Sequence, residues 1–357
     1  MTKKPIILGI ESSCDETAAS IISENEQGIP IVLSNVVSSQ ENVHKEFGGV
    51  VPELAARSHI EKIDWIVQKA IDDSGKKIEE IDAVASTAGP GLIVCLSVGL
   101  SFAKSFASTL NIPFVAVNHL EGHALSPKLN SRLNFPYLLL LISGGHSQFL
   151  SVQGLGKYKR LGTTIDDALG EAFDKTAKLL GIEFPGGPQI EILAKKGNSN
   201  RYNLPKPIFN KGGCNLSFAG LKTSILKISK SIETEQDKFD LAASFQKTIE
   251  EILYKKTTVA FSKFEKENIV EKKIFVVAGG VAANKNIRSM LTNLCKEKKF
   301  ESIFPPIEFC GDNAAMIALV GLEKYKLNEL NNFDHPAKPK WQLDENASYL
   351  KGAGVKF

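Results

Sequence analysis

A chain of 357 residues, 43% of them apolar, can bury a large core, and at roughly 100 to 200 residues per domain it is expected to form two lobes. Glycine (28), proline (15) and a charged fraction of 23% are those of a soluble globular protein and exclude disordered and fibrous classes. The net charge of +3 does not by itself identify a nucleic-acid binder. The start Met1–Lys4 is basic, but the apolar run Ile6–Ile10 is stopped at once by Glu11, too early for a signal-peptide core. Leu138–Ile142, another compact apolar run, falls far short of the roughly 20 residues that span a bilayer. Five cysteines (14, 95, 214, 295, 310) show no CxxC spacing and read as reduced thiols. The expectation is a cytoplasmic protein with no membrane association.

In chain order, Ile6–Ile10 and Ile31–Val37 are rich in β-branched residues and read as strands, with a polar loop at Glu11–Thr17 between them. Glu53–Asp72 carries apolar residues at helical spacing and stops at Ser74-Gly75. A strand at Ile81–Thr87, a turn at Ala88–Gly91, an apolar helix at Leu92–Leu110 and a strand at Pro113–Val117 follow. A second series opens with strands Tyr137–Ile142 and Gln148–Val152 around the turn Ser143–Gly145. It continues through helices Asp166–Leu180 and Phe239–Phe264, strand Lys273–Ala278, a helix from Asn284, a short strand near Ile303 and a helix Asp312–Tyr325. Alternating strands and helices predict α/β lobes with largely parallel sheets. The expected division is 1–130, 131–330 and a C-terminal tail, 331–357, laid back over a lobe.

His119-Leu-Glu-Gly-His123 places two imidazoles on one face of a helix, where they either share a metal or serve as surface or capping histidines. Asp312, just before the last helix, is the best third ligand, and two imidazoles with one carboxylate suit iron or zinc. A zinc protease is disfavoured, because its general-base Glu directly follows the first His, whereas Glu121 is two residues on and about 200° round the helix. Ser143–Ser147 supplies free backbone N–H groups after a strand, fit for phosphate or carboxylate oxygens or for an ordinary hairpin turn. Gly9–Thr17 holds three carboxylates and suits a metal or an amine better than bare phosphate. Ala278-Gly-Gly-Val-Ala-Ala-Asn284 leaves room for a flat ligand against the backbone, with Asn284 near a ribose. Between Ile192 and Ile232 there is no carboxylate but eight Lys and Arg, which is either a solvated face or a surface for a polyanion.

Taken together, Gly9–Thr17, Phe47–His59, His119–His123, Ile142–His146, Asp166–Lys175, Phe184–Pro188, Ser217–Thr223, Ala278–Asn284 and Cys310–Met316 resemble the signature segments of the TsaD family, the tRNA N6-adenosine threonylcarbamoyltransferases. The resemblance implies an actin, Hsp70 and hexokinase-like (ASKHA) fold, two ribonuclease-H-like lobes around a nucleotide-binding cleft. It also implies that His119, His123 and Asp312 hold one iron(II) ion, with zinc the other metal considered. Ile142, Ser143, Gly144, Gly145, His146, Asp174, Gly187, Glu191 and Asn284 would contact threonylcarbamoyl-AMP. Its threonylcarbamoyl group would pass to N6 of the adenosine 3′ of the anticodon in tRNAs reading codons that begin with adenosine. Asp15 and Glu16 are the candidates to accept the N6 proton. Family partners are a TsaB-like paralogue and a TsaE-like ATPase. Glu191 stands where the family often has Asp, Ala219 where Ser is usual and Gly311 where Thr is common. The rival readings are a small-molecule kinase of the same fold and a non-catalytic nucleotide-binding scaffold.

Overall fold

The apolar run near the start of the chain becomes the central strand of a sheet. In this computed structural model, which describes residues 3–129 and 132–348, β1 (Ile7–Glu11) is buried throughout and is followed by β2 (Glu16–Glu24) and β3 (Pro30–Ser39). A one-turn helix α1 (Glu41–His44) leads to α2 (Pro52–Ser74), β4 (Ala83–Gly89), α3 (Ile93–Leu110), β5 (Phe114–Asn118) and α4 (His119–Leu125). Next come β6 (Tyr137–Ile142), β7 (Ser147–Gly154), β8 (Lys157–Thr163), α5 (Leu169–Leu179), α6 (Gly186–Ala194), α7 (Ala219–Ser229) and α8 (Glu235–Glu267). The chain closes with β9 (Ile274–Ala278), α9 (Lys285–Lys298), β10 (Glu301–Ile303) and α10 (Ala314–Lys326).

Two units result, one from residues up to Leu133 with Pro305–Glu345, the other from Asn134–Phe304 with 346–348. The first sheet has the order β3-β2-β1-β4-β5, with β1 antiparallel to β2 and parallel to β4. The second, β10-β9-β6-β7-β8, repeats the plan from the opposite end: β6 is central, antiparallel to β7 and parallel to β9. Each unit thus has an antiparallel hairpin on one side of its first strand and a parallel pair on the other, the α/β plan of an ASKHA lobe.

Side-chain alternation decides what each face of the first sheet meets. Leu8 and Ile10 join Ile63, Ile66 and Val67 of α2 and Leu100 and Ala103 of α3 in one core. Ile7 and Gly9 face α10: a Cβ on Gly9 would lie 2.5 Å from the Ala314 carbonyl oxygen, and one on Gly321 would lie 2.4 Å from Ala85 Cβ. The expected second lobe ran to residue 330, but α10 belongs to the first unit. Ala314–Leu322 is buried on all sides, and the strand face of Ile7, Gly9 and Ala85 is the surface it covers. The tail lies back on the same unit as far as it is described. Asn331 Oδ1 accepts from Ala116 N at 2.8 Å and the Trp341 carbonyl from Asn118 Nδ2 at 3.1 Å, while residues 349–357 lie outside the described residues.

α3 is long and apolar enough to cross a membrane by length and composition. Its Leu96, Leu100 and Ala103 are buried against the sheet, whereas Ser97, Ser101, Ser105 and Ser108 face outward together with Ile93 and Val94, so one face of the helix joins the core and the other does not. α8 starts earlier than its apolar pattern predicts because Thr234 and Asp237 form a capping box. β8, α6 and α7 fall where no element is expected from the sequence, in stretches without clear periodicity.

Candidate metal centre and its surroundings

Two helix starts create the centre. β5 ends at Asn118, whose Oδ1 accepts from Leu120 N at 2.9 Å and starts α4, so His119 and His123 fall one turn apart. Asn313 does the same for α10, accepting from Met316 N at 3.1 Å, with Asp312 immediately before it. Gly122 lets the two helices close: a Cβ there would lie 3.0 Å from Met316 Cγ. Asp312 Oδ1 consequently sits 3.0 Å from His123 Nε2 and 3.4 Å from His119 Nε2. Ligand atoms of the three residues lie within 4.8 Å of one another.

The two Asp312 separations fit a shared ion, since neighbouring ligands each about 2.1 Å from one metal are about 3.0 to 3.4 Å apart. The outer contacts of His119 fit as well. Its Nδ1 lies 2.9 Å from Glu11 Oε2, the carboxylate partner that commonly orients a metal-binding imidazole. Glu11 is in turn held by Thr87 Oγ1 at 2.6 Å and Ser13 N at 2.5 Å. His123 has no such outer partner, its Nδ1 being buried and unpaired among the described residues. Burial favours the neutral form of His119, but the carboxylates of Asp312 and Glu11 outweigh it and push the imidazole well above its usual range. Burial likewise raises Asp312, yet the charges and hydrogen bonds of the two histidines hold it well below the ordinary carboxylate range. Glu121 is turned away and paired with Lys324 at 3.1 Å, so no general base stands where a zinc protease needs one.

Glu11 is the residue that sequence reasoning passed over as an individual; a carboxylate ending a wholly buried strand was the available signal. Asp15 and Glu16 lie in the same unit, on the loop and first position of β2. Burial, then Asp312 and Asp15, push the Glu16 carboxyl well above its ordinary value.

Of the other predicted residues, all in the second unit, Ile142–His146 follow the carboxyl end of β6 and Asn284 follows β9, where open α/β sheets usually bind ligands, while Asp174 is on α5 and Gly187 and Glu191 on α6. Ser143 N donates to the His146 carbonyl at 2.8 Å, closing a turn in which Gly144 and Gly145 border open space. Gly279 is confined, because a Cβ would lie 2.5 Å from the Ile142 carbonyl oxygen. Asp174 Oδ1 accepts from Gly186 N at 2.9 Å, next to Gly187, and Glu191 Oε1 from Lys285 N at 3.2 Å. Asn284, expected near a ribose, already makes hydrogen bonds within its own unit. Its Oδ1 caps α9 through Ile287 N at 3.0 Å and its Nδ2 donates to Gln246 Oε1 at 3.0 Å.

The carboxylate-free stretch is not carboxylate-free in space. Arg201 pairs with Asp237 and Asp240, Lys206 with Glu251 and Lys222 with Asp167. Lys211, Lys227 and Lys230 are exposed and make no ion pair among the described residues.

Residues 31–319 match the family model described as "TsaD: tRNA N6-adenosine threonylcarbamoyltransferase". A protein of that name from Pelagibacter ubique (strain HTCC1062) is 77% identical over 357 residues, all of both chains. One from Rickettsia canadensis (strain McKiel) is 51% identical over 97% of this chain and all of its own. Among solved structures, HypF of T. kodakarensis aligns with a TM-score of 0.60 at 15% identity over 91% of this chain and 48% of its own, a likeness of fold alone.

Proposed function

The chain belongs to the tRNA N6-adenosine threonylcarbamoyltransferase family, and on that premise we propose that it takes threonylcarbamoyl-AMP as donor and the adenosine 3′ of the anticodon as acceptor. The tRNAs are those reading codons that begin with adenosine. In the transfer, N6 forms a bond to the carbamoyl carbon, the bond from that carbon to the phosphate oxygen breaks, AMP leaves with the electron pair, and N6 gives up a proton.

The convergence of His119, His123 and Asp312, with Glu11 behind His119, carries this reading. These residues would hold iron(II), with zinc the second metal that the donor set suits. When bound, such an ion supplies Lewis-acid polarisation of the activated carbonyl or the phosphate oxygens. Glu11 orients the His119 ring. Asp15 and Glu16 are the candidate bases for the N6 proton, and burial with the neighbouring Asp312 and Asp15 carboxylates raises the Glu16 carboxyl above its ordinary value. In the second unit, the open backbone of Gly144 and Gly145 offers N–H donors to the adenylate, with Ile142, Ser143, His146, Asp174, Gly187, Glu191 and Asn284 around it.

Exposed Ile60 and Trp65 on α2 and Ile93 and Val94 on α3 support an interface with a TsaB-like paralogue; a TsaE-like ATPase completes the proposed partners. Lys211, Lys227 and Lys230 are proposed to face tRNA, and a tRNA acceptor supports action in the cytoplasm. A kinase on this fold is disfavoured, since magnesium prefers oxygen ligands to imidazole.

The test is mass analysis of nucleosides from an acceptor tRNA incubated with the protein, its partners and threonylcarbamoyl-AMP. Modified adenosine is expected with wild type and its loss, by about 100-fold or more in rate, with His119→Ala. No product from wild type would overturn the reaction, and full rate in the variant would remove the metal from it.

A further inference from the structure

Three consecutive carbonyls of the loop between β1 and β2 are each held from outside the loop. Ser13 O accepts from Leu92 N at 2.8 Å, Asp15 O from Gln40 N at 3.0 Å, and Cys14 O faces His59 Nε2 at 3.0 Å. The first two donors are backbone groups; the third is a side chain on α2. A carbonyl can only accept, so His59 Nε2 carries the proton and Nδ1 presents its lone pair. Thr17 Oγ1, at 2.7 Å, and Gln40 Nε2, at 3.3 Å, are placed to donate to that lone pair. Gln40 Oε1 accepts in turn from His44 Nε2 at 3.2 Å, and His44 Nδ1 accepts from Val51 N at 3.4 Å. The bonds thus run in one direction, from Val51 to the Cys14 carbonyl, through Gln40, His44 and His59, all of them buried, with buried Thr17 donating alongside.

A buried polar chain with every member satisfied rigidifies what it ends on. None of its side chains bonds His119, His123 or Asp312, and its end lies between two consequential neighbours. Ser13 Oγ is 3.3 Å from His119 Nδ1, and Asp15 and Glu16 follow directly. We propose that His59 is a positioning residue for the transfer reaction: by holding the Cys14 carbonyl, with Thr17, Gln40 and His44 behind it, it fixes the bearing of Asp15 and Glu16. This rests on the functional reading above.

The assembled enzyme with its partners is assayed for kcat and KM toward threonylcarbamoyl-AMP as wild type, His59→Phe and His59→Gln. In the same preparations, alkylation of Cys14 by iodoacetamide is followed by mass spectrometry. Cys14 is the one cysteine of five that is not buried, so its labelling reads the loop. His59→Phe keeps the ring volume without the donor and is expected to lower kcat by about 10- to 100-fold at little-changed KM and metal content, with Cys14 labelled several-fold faster. His59→Gln keeps an N–H at similar reach and is expected to restore most of both. Wild-type kcat in His59→Phe, or equal impairment in both variants, overturns the proposal. Should His59→Phe not fold, Thr17→Val, which removes a donor to Nδ1, is read in the same way with the same expected direction. If wild type makes no product, the reaction assignment fails and the labelling rates alone decide whether His59 holds the loop.

Discussion

Asp166 and Asp167 are neighbours in sequence with separate duties. Asp166 caps α7 from a distance, accepting from Phe218 N at 2.7 Å and Ala219 N at 3.3 Å, while Asp167 bridges Lys175 at 2.8 Å and Lys222 at 3.1 Å. This is why α5 begins at Leu169 rather than at Asp166, where helical spacing puts it. Burial alone would raise the Asp167 carboxyl, but hydrogen bonds and charge from the two lysines prevail and lower it. A carboxyl with a depressed folded-state pKa stabilises the protein above its unfolded value, about 3.9, and loses that contribution as pH falls through the folded value. Asp167→Asn is therefore expected to cost about 1 kcal/mol at pH 7, a partly screened pair, and almost nothing near pH 2. Urea unfolding of both proteins across pH 2–7 checks this, and a difference independent of pH would refute it. Residue type alone could nominate Asn284 for a ligand, but not reveal that its amide already serves α9 and Gln246.

At the scale of elements, β1 and α10 meet through the absence of side chains. Gly9→Ala would push a methyl to 2.5 Å from Ala314 O, 2.6 Å from Ala318 N and 2.7 Å from Ala318 Cβ, mostly backbone that moves only with the helix. The expected loss is about 1–3 kcal/mol, measured by urea unfolding against Gly212→Ala, whose Cβ would meet nothing within 4 Å. Equal stability of the two variants would mean that α10 is not clamped there. Most strands and the long helices are legible from the sequence because burial writes itself as periodicity; β8, largely exposed or half-buried from Lys157 to Leu161, is not. α6 and α7 are not, since each buries only two residues, too few to write a helical period.

For the whole molecule, the repeated sheet order of the two units shows the same plan used twice, and charge is distributed by folding rather than by segment. Lys206 and Lys222 already face Glu251 and Asp167, so reversing them would break ion pairs as well as any contact with RNA. Reversal of Lys211, Lys227 and Lys230 to Glu is the cleaner probe. It is expected to weaken tRNA binding at least about tenfold at low salt and to flatten its salt dependence, with adenylate affinity intact. Filter binding across salt concentrations measures both, and unchanged affinity would remove this face from the tRNA path.

The sequence by itself determined most of the strand and helix series and His119 and His123 as a pair, because these depend on periodicity and spacing within one element. Tertiary structure alone decided that α10 returns to the first sheet and brings Asp312 to that pair. It also decided that Glu11 stands behind His119, that His59 reaches the Cys14 carbonyl, and which lysines are neutralised. Each of these contacts joins residues far apart in the chain, and what selects them is the burial of complementary faces, which no local pattern records.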